Sequence, residues 1–249
     1  MLAELQHQDK TIKVDFSKPI DISITTTSSK ENVNAWYVNE PEIKPVKEGE
    51  WIASVKDGAS VNFNNIYFNP HAHATHTESV GHITESFYSI NKALKQFMFL
   101  AEVITIAPEV QGEDMVLTKH QIKYLLNGKK PEALVIRTMP NTKAKKSRQH
   151  SHTNWPYVTK EAAEFIKHIG VMHLLIDLPS VDKEKDDGLL IAHKTFWGYP
   201  YKIRYEATIT ELIYVPNKVK DGSYLLNLQI ASFKNDATPS KPVLYKIEK

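Results

Sequence analysis

The sequence predicts a single α/β domain that spans residues 1–249, with a mixed β-sheet and flanking helices. Three observations favour this fold class. From residue 97 onward, dense apolar segments typical of strands alternate with a few helical segments, and no long linker interrupts them. Hydrophobic residues make up 41% of the chain, which is enough for a buried core. No internal repeat is visible.

Alternation of polar and apolar residues predicts short strands in the first third of the chain. Residues 11–16 and 20–26 alternate in this way, whereas residues 1–10 are polar and are expected to be frayed. Residues 32–46 contain two prolines and two aromatic residues, which indicates an ordered loop. A strand predicted over residues 61–68 leads directly into a histidine-rich segment.

Capping residues and apolar segments predict the remaining elements. Thr118 and Thr159 are N-cap residues for helices that run to Leu126 and Ile169, and a glycine follows each helix closely. Strands are predicted over residues 97–106, 133–138, 171–178, 207–215, 224–232 and 243–247.

Composition excludes several classes of function. The chain has 31 basic and 29 acidic residues, so its net charge of +2 does not predict a nucleic-acid-binding protein. It contains no cysteine, which excludes disulfides, thiolate catalysis and cysteine-ligated zinc. No apolar run is long enough to span a bilayer, and no secretory leader is visible, so we expect a cytoplasmic protein without a membrane partner.

A basic run follows the strand predicted over residues 133–138. It has no interleaved aromatic residue, so we interpret it as a solvated or substrate-covering loop rather than a nucleic-acid site. Two histidines of the same loop are interpreted as exposed residues outside the functional site. The residues of this loop are Lys143, Lys145, Lys146, Arg148, His150 and His152.

Four histidines and one glutamate lie within twelve consecutive positions. They are His71, His73, His76, Glu78 and His82. An even distribution of the 11 histidines over 249 residues would place fewer than one in such a window. Neutral imidazole and carboxylate are common ligands of Zn²⁺ and other first-row divalent ions, so this segment is a candidate metal site.

The local conformation decides which of these side chains converge. On an extended backbone, His76, Glu78 and His82 point to the same side. In a helical turn, His73 becomes a neighbour of His76 instead. Either conformation directs at least two ligands to one point, and the alternative is a polar loop whose histidines are unrelated.

The same segment follows the order of a known signature, H-x-G-T-H-x-D-x-P-x-H. Thr75 and His76 correspond to its central Thr-His pair, Glu78 to its acid, and His82 to its last histidine. The histidine that opens the signature corresponds to Ala72. The remaining departures are Ala74, Glu78 and Val80 in place of the glycine, the aspartate and the proline.

Four further segments match the same family in the same order. The sequence IDLPSVD at 176–182 follows a Gly-Val pair, and His193 comes shortly after a Leu-Leu pair. Glu211 lies in the strand predicted over 207–215, and both the DIS triplet at 21–23 and the segment 236–239 have counterparts. The chain thus resembles, over residues 11–249, the cyclase family of metal-dependent hydrolases, which includes bacterial kynurenine formamidase and isatin hydrolase.

The resemblance implies a swivelling β/β/α fold and a divalent metal, Zn²⁺ before Mn²⁺. It implies that His76, Glu78 and His73 are metal ligands, with His71 as the substitute for His73. His82, His193 and Glu211 would then form a second metal position or the side that transfers protons, and His82 and Glu211 are the candidate catalytic residues. Without the resemblance, His193 would be interpreted as a loop histidine and Glu211 as a surface carboxylate.

The resemblance also implies a substrate class and a partner. Relatives hydrolyse small amides, either an aryl formamide such as N-formylkynurenine or a cyclic amide such as isatin, with a metal-activated water. They tend to be homodimers or homotetramers. Aromatic residues near the motifs are candidates to hold a planar ring, and their alternative role is in lids or dimer contacts. These residues are Trp36, Tyr37, Trp155, Tyr157 and Trp197.

Three hypotheses follow from the sequence. The first is a metal-dependent amide hydrolase. The second is a degenerate relative that binds a metal or a small ligand without turnover, which Ala72 and Val80 favour. The third is a structural or interaction protein without a metal.

Overall fold

The computed structural model describes residues 1–7 and 10–248 and contains seventeen strands in this part of the chain. The strands are β1 (Leu2–His7), β2 (Lys10–Asp15), β3 (Ile20–Asp21), β4 (Glu42–Pro45), β5 (Lys47–Glu48), β6 (Trp51–Ile52), β7 (Asn64–Tyr67), β8 (His76–Glu78), β9 (Met98–Ile106), β10 (Glu109–Gln111), β11 (Asp114–Leu117), β12 (Ala133–Thr138), β13 (Tyr157–Val158), β14 (His173–Ile176), β15 (Thr208–Glu211), β16 (Gly222–Ile230) and β17 (Ala237–Glu248). The helices are α1 (Pro70–His73), α2 (Ile90–Ala93), α3 (Lys119–Leu126), α4 (Lys160–His168) and α5 (Ile191–Trp197).

A mixed sheet forms the centre of the molecule. Strands β9, β12, β14 and β15 are parallel neighbours, while β16 and β17 continue the sheet with antiparallel pairing. The short strand β8 pairs antiparallel with both β15 and β17, so the sheet closes on itself. This arrangement confirms the predicted α/β fold with a mixed sheet.

The parallel strands are apolar throughout because both of their faces are covered. In β12, Leu134 and Ile136 face a core that includes Ile122 of α3 and Ile166 of α4. Val135 faces the opposite core, which is formed largely by the strands of the closed sheet. Burial on both faces explains why β12 lacks the alternation expected of a half-exposed strand.

The two predicted long helices begin at the predicted residues. The Thr118 hydroxyl accepts a hydrogen bond from the backbone N–H of Gln121, and the Gln121 side chain accepts one from the backbone N–H of Thr118. Thr159 caps α4 by accepting from the backbone N–H of Ala162. These caps satisfy donors that the first turn of a helix leaves unpaired.

The structure differs from the sequence prediction in three strands of the first 70 residues. Residues Leu2–His7 form β1, paired with β2, instead of a frayed segment, whereas residues 8 and 9 lie outside the described residues. The strand predicted over 20–26 is reduced to β3, and the one predicted over 61–68 to β7. Among the strands of the described residues, β7 pairs only with β4, in a two-stranded sheet separate from the main one.

The basic loop is also more structured than its sequence suggests. Lys145 is buried, and its Nζ donates to Asp177 at 2.7 Å and to the Thr138 carbonyl at 2.6 Å. The interpretation of the whole run as a solvated loop is therefore wrong for Lys145, because Asp177 supplies a buried carboxylate. The interpretation of His150 as exposed is also wrong: it is 2% exposed, because its backbone N–H donates to the Asn34 carbonyl at 2.8 Å and its ring packs near Trp155. Within the described residues, no helix is both long and apolar enough to cross a membrane.

Candidate metal centre

Strand β8 positions two of the candidate ligands. His76 and Glu78 leave the same side of this strand because they are two residues apart. In the register with β15, His76 lies opposite Glu211, while in the register with β17, Glu78 lies opposite Ala237. All three polar side chains are buried, with exposures of 0 to 3%.

Two short turns on either side of β8 add further histidines. Asn69 caps α1, and His71 lies in its first turn. After β8, Ser79 caps a turn at Val80–His82 that presents His82. Gly81 is required there, since a Cβ atom at this position would lie 2.0 Å from the Tyr88 carbonyl oxygen.

Seven polar side chains converge at this point. Glu78 is central: Oε1 lies 3.0 Å from His193 Nε2, and Oε2 lies 3.2 Å from His71 Nδ1 and 3.9 Å from His82 Nε2. Glu211 lies 3.4 Å from His76 Nε2 and 3.7 Å from His193 Nε2.

The seventh side chain, Asp236, joins the cluster from the segment before β17. Its Oδ2 is 3.0 Å from His71 Nε2 and 3.3 Å from His82 Nδ1. The sequence alone does not assign Asp236 to the site, although the segment 236–239 resembles the family. Its position next to a strand that pairs with β8 is a tertiary feature, and the sequence does not reveal that pairing.

Hydrogen bonds orient the two most buried rings. His76 Nδ1 lies 2.9 Å from the Ala74 carbonyl oxygen, so this nitrogen carries the proton and Nε2 keeps its lone pair. His193 Nδ1 lies 2.6 Å from Asp182 Oδ2, which directs His193 Nε2 toward Glu78 and Glu211. Carboxylates and carbonyls commonly fix metal-binding histidines in this way. Asp182 belongs to the IDLPSVD motif, but no role for it follows from the sequence alone.

The charges in the cluster are strongly coupled. Burial alone would raise the pKa of Glu78, but His82, His193 and His71 hold it well below its ordinary value. Burial alone would lower the pKa of His193, whereas Asp182 and Glu78 raise it well above its ordinary value. For His71, burial alone would lower the pKa, but the neighbouring carboxylates of Asp236 and Glu78 raise it to about 10.

The donor set fits a divalent ion. Three overlapping groups each have ligand atoms within 4.8 Å of one another: His71, His82 and Asp236; His71, His76 and Glu78; and Glu78, His82 and His193. His76 Nε2 and Glu78 Oε2 are buried, and among the described residues their neighbours Glu211 Oε2, at 3.4 Å, and His71 Nδ1, at 3.2 Å, do not form well-aligned hydrogen bonds with them. Buried polar atoms without partners are costly, and a cation between them would satisfy both.

His73 does not reach this cluster, which departs from the prediction that it is the first choice for a ligand. Its Nδ1 accepts a hydrogen bond at 2.9 Å from the backbone N–H of Asn69, so this ring nitrogen is occupied within its own turn. His71, the predicted substitute, takes the position in the cluster. The helical turn of α1 separates the two rings because they are two residues apart.

A cavity of about 300 Å³ opens onto the cluster. Its floor carries His71, His82, His193 and Glu211, and its wall includes Trp36 and Leu190; Asn69 and Ser180 also line it. The cavity thus joins an ionic floor to an apolar wall.

Of the aromatic residues singled out from the sequence, Trp36 lines this cavity. The Trp155 ring packs edge-on against the Trp36 ring, with 4.9 Å between ring centroids. Trp197 is buried beside His193, with 5.4 Å between ring centroids. Tyr37 and Tyr157 instead donate hydrogen bonds to Glu184 and Asp114.

Comparison with known proteins agrees with this architecture. The Cyclase family model matches residues 14–183, which is more than half of the chain. The chain belongs to the cyclase family. No curated protein sequence matches it significantly.

Solved cyclase-family structures share the fold. An isatin hydrolase bound to the product analogue thioisatinate has a TM-score of 0.70 at 13% identity, with 93% of each chain covered. Isatin hydrolase A from Labrenzia aggregata, bound to benzyl benzoate, has a TM-score of 0.67 at 12% identity over 93% of this chain and 94% of that one. A predicted metal-dependent hydrolase from Bacillus stearothermophilus has a TM-score of 0.62 at 17% identity over 92% of this chain and 98% of that one.

Proposed function

We propose that this cyclase-family protein is a metal-dependent hydrolase of a small amide, either an aryl formamide or a cyclic amide. The observation that carries the proposal is a cavity whose floor is formed by His71, His82, His193 and Glu211 and whose wall includes Trp36 and Leu190. Directly behind this floor lie the buried side chains of His76 and Glu78. Such a cavity suits a planar ring attached to a carbonyl group that must meet the floor.

Residues of all three overlapping groups would hold the ion, with His76, Glu78 and His71 as the proposed core of the ligand set. His193 and Glu211 would complete it or form a second position. A divalent ion bound there would supply a Lewis acid that lowers the pKa of water toward about 7 and polarises a carbonyl group. Imidazole and carboxylate donors suit Zn²⁺ and Mn²⁺, and we propose Zn²⁺ first.

His82 is the residue that we propose moves the proton. The Asp236 carboxylate, 3.3 Å from Nδ1, keeps the proton on that nitrogen, which leaves Nε2 available. With a side chain 31% exposed, His82 lies at the edge of the cluster and can meet both water and a leaving amine. Its Nε2 would take a proton from the attacking water and deliver it to the amine.

Glu211 is the second proposed catalytic residue. The backbone N–H of Val181 donates to its Oε1 at 2.9 Å, so this carboxylate is held in one orientation. Its Oε2 faces His76 across 3.4 Å and lies on the floor of the cavity. A carboxylate fixed in this way can orient the attacking water through a hydrogen bond.

The experiment that tests the proposal combines metal content with turnover. Protein purified without an affinity tag would be stripped with a chelator, reloaded with Zn²⁺ or Mn²⁺, and assayed on N-formylkynurenine, formanilide, isatin and matched esters. We expect activity on at least one amide that is lost on stripping and restored by one ion. Bound metal without hydrolysis of any substrate would support the degenerate relative instead, and absence of bound metal would support a structural protein.

We also propose that the protein forms a homo-oligomer, a dimer or a tetramer. Six large apolar side chains between residues 51 and 67 are 47 to 77% exposed, namely Trp51, Val55, Val61, Phe63, Ile66 and Tyr67. Each of these side chains exposes on the order of 100 Å², so together they would supply roughly 600 Å² of interface. One partner buries about 800 Å² in an interface of standard size. Sedimentation velocity of the wild-type protein measures the oligomeric state.

A further inference from the structure

Three acidic residues alternate along one short segment beside the metal centre: Asp182, Glu184 and Asp186. Each accepts hydrogen bonds from a segment that carries a different lining residue of the cavity, namely His193, Trp36 or Leu190. Asp182 holds His193 on the floor, as described above. Glu184 and Asp186 bond to the two loops that carry the apolar wall residues Trp36 and Leu190.

Glu184 joins two loops. Its Oε1 accepts from the Tyr37 hydroxyl at 2.7 Å and from the backbone N–H of His152, and its Oε2 accepts from the backbone N–H of Asn154 at 2.8 Å. The Tyr37 ring also packs on the His152 ring, with 4.7 Å between centroids. Glu184 is 9% exposed, so these bonds are largely sheltered from water.

The loops that Glu184 joins have an uncommon backbone conformation. Trp36 and Tyr37 have φ angles of 61° and 60°, and His152 and Asn154 have φ angles of 67° and 46°. Left-handed φ angles are rare for bulky residues other than glycine, and they persist where the surrounding structure holds them. Tyr37 is held in this conformation at two points, because its hydroxyl donates to Glu184 and its backbone N–H donates to Ser151 Oγ at 2.9 Å.

Asp186 acts on the other wall in the same manner. Its two carboxylate oxygens accept from the backbone N–H groups of Gly188, at 3.0 Å, and Leu190, at 2.7 Å. Leu190 has a φ of 46° and lies immediately before α5, the helix that carries His193.

We propose that Glu184 and Asp186 are positioning residues that hold Trp36 and Leu190 in place as a preformed apolar wall for the substrate ring. The predicted effect on KM rests on the proposed function, whereas the positioning of Trp36 and Leu190 does not. Neither carboxylate is among the residues that line the cavity, so neither is assigned a catalytic role.

The hydrogen bonds that Glu184 accepts also keep its carboxylate ionised. Burial alone would raise its pKa, but the hydrogen bonds from Tyr37, His152 and Asn154 lower it. A charged carboxylate accepts stronger hydrogen bonds than a neutral amide oxygen does. Glu184→Gln keeps one side-chain oxygen acceptor and should therefore retain part of the effect that Glu184→Ala loses.

The first test is kinetic. With the metal-loaded enzyme and its best amide substrate, Glu184→Ala should raise KM about tenfold while kcat stays within about twofold, because the wall binds the ring equally in the ground and transition states. Glu184→Gln and Tyr37→Phe should show smaller increases, and the exposed Glu164→Ala is the matched control. Bound metal per chain should equal that of the wild type.

A double-mutant cycle distinguishes positioning from a general structural role. In a Trp36→Ala background, Glu184→Ala should raise KM no further, since the wall it holds has gone. Fully additive effects on KM would overturn the proposal. A joint fall in kcat and metal content would also overturn it, because Glu184 would then act on the floor of the cavity.

A spectroscopic test does not depend on turnover. The edge-on Trp36 and Trp155 pair should give a near-ultraviolet circular dichroism signal that Glu184→Ala changes, and that change should vanish when Trp36 is replaced by Phe. An unchanged signal would overturn the proposal. If neither the wild type nor any variant hydrolyses an amide, the proposed function fails, but the circular dichroism measurement still decides the role of Glu184. If Glu184→Ala does not fold, Glu184→Gln and Tyr37→Phe provide the same readouts.

Discussion

His71 and His73 differ in role although only Ala72 separates them. The α1 turn directs His71 to Glu78 and Asp236, whereas His73 accepts a hydrogen bond from the backbone N–H of Asn69 and is 3% exposed. The sequence left both histidines open as replacements for the missing first histidine of the motif. The helical turn of α1 points their side chains in different directions, and the sequence did not establish that this segment is helical.

We predict opposite consequences for their substitution. His71→Ala should lower the bound metal per chain, because it removes a ligand from two of the three groups. His73→Ala should leave metal content unchanged but lower the free energy of unfolding by about 1–3 kcal/mol, the usual range for loss of a buried side chain. Elemental analysis and urea denaturation of both variants measure the two effects. Loss of metal from His73→Ala alone would contradict the assignment.

At the scale of elements, strand β8 matters more than its three residues suggest. Its pairing with β15 and β17 closes the sheet and brings His76, Glu78, Glu211 and the segment of Asp236 together. The turn at Lys143–Ser147 is a second short element with a large effect, because it places Lys145 in a buried position where it pairs with Asp177.

Neighbouring lysines in that turn provide a matched comparison. Lys145→Ala should lower the free energy of unfolding by about 3–5 kcal/mol, because it leaves the Asp177 carboxylate buried without its cation. Lys146 is exposed and lies over the Tyr214 ring at 5.0 Å, so Lys146→Ala should cost about 1 kcal/mol or less. Chemical denaturation measures both, and equal losses would mean that the buried ion pair has no special weight.

For the molecule as a whole, the two edges of the parallel strands differ in chemistry. The candidate metal centre lies beside the carboxyl end of β15, where Glu211 is located. At the other edge, His173 begins β14, where it stacks on Phe99 with 3.9 Å between ring centroids and bonds to the Thr208 hydroxyl. Burial, followed by the charge of Arg204, lowers the pKa of His173 to about 3.

The buried His173 predicts loss of stability in acid. Between the folded pKa of about 3 and the unfolded value of 6.5, the unfolded chain binds a proton that the folded chain does not. Stability should therefore fall as the pH drops below 6.5, and at pH 5 this histidine should account for about 2 kcal/mol. His173 lines a second cavity together with Lys95, Glu132 and Glu206, and Arg204 is the charged group that lowers its pKa.

Substitution of His173 tests that contribution. The loss of unfolding free energy between pH 7.5 and pH 5 should be smaller in His173→Gln than in the wild type by about 2 kcal/mol. The exposed His120→Gln should behave as the wild type. An identical pH dependence in His173→Gln and wild type would show that His173 does not contribute.

Much of the fold could be predicted from local sequence signals. The caps at Thr118 and Thr159 and the apolar segments around β9, β12 and β14 act through neighbouring residues, so the sequence locates them well. The N-terminal strand β1 and the reduced β3 and β7 were predicted less well, because strand formation there depends on which distant partner is available.

The sequence by itself established the fold class and the concentration of imidazole and carboxylate around residue 76, since alternation, capping and composition are local properties. Only the tertiary structure decided that His71 rather than His73 joins the cluster, that Asp236 completes it, and that Asp182, Glu184 and Asp186 support its surroundings. The contacts of Asp236 with His71 and of Glu184 with Tyr37 join residues far apart in the chain, and they arise from strand pairing and loop packing that no local pattern encodes. The contacts of His73 and Asp186 are local, but they depend on turn conformations that the sequence pattern does not specify.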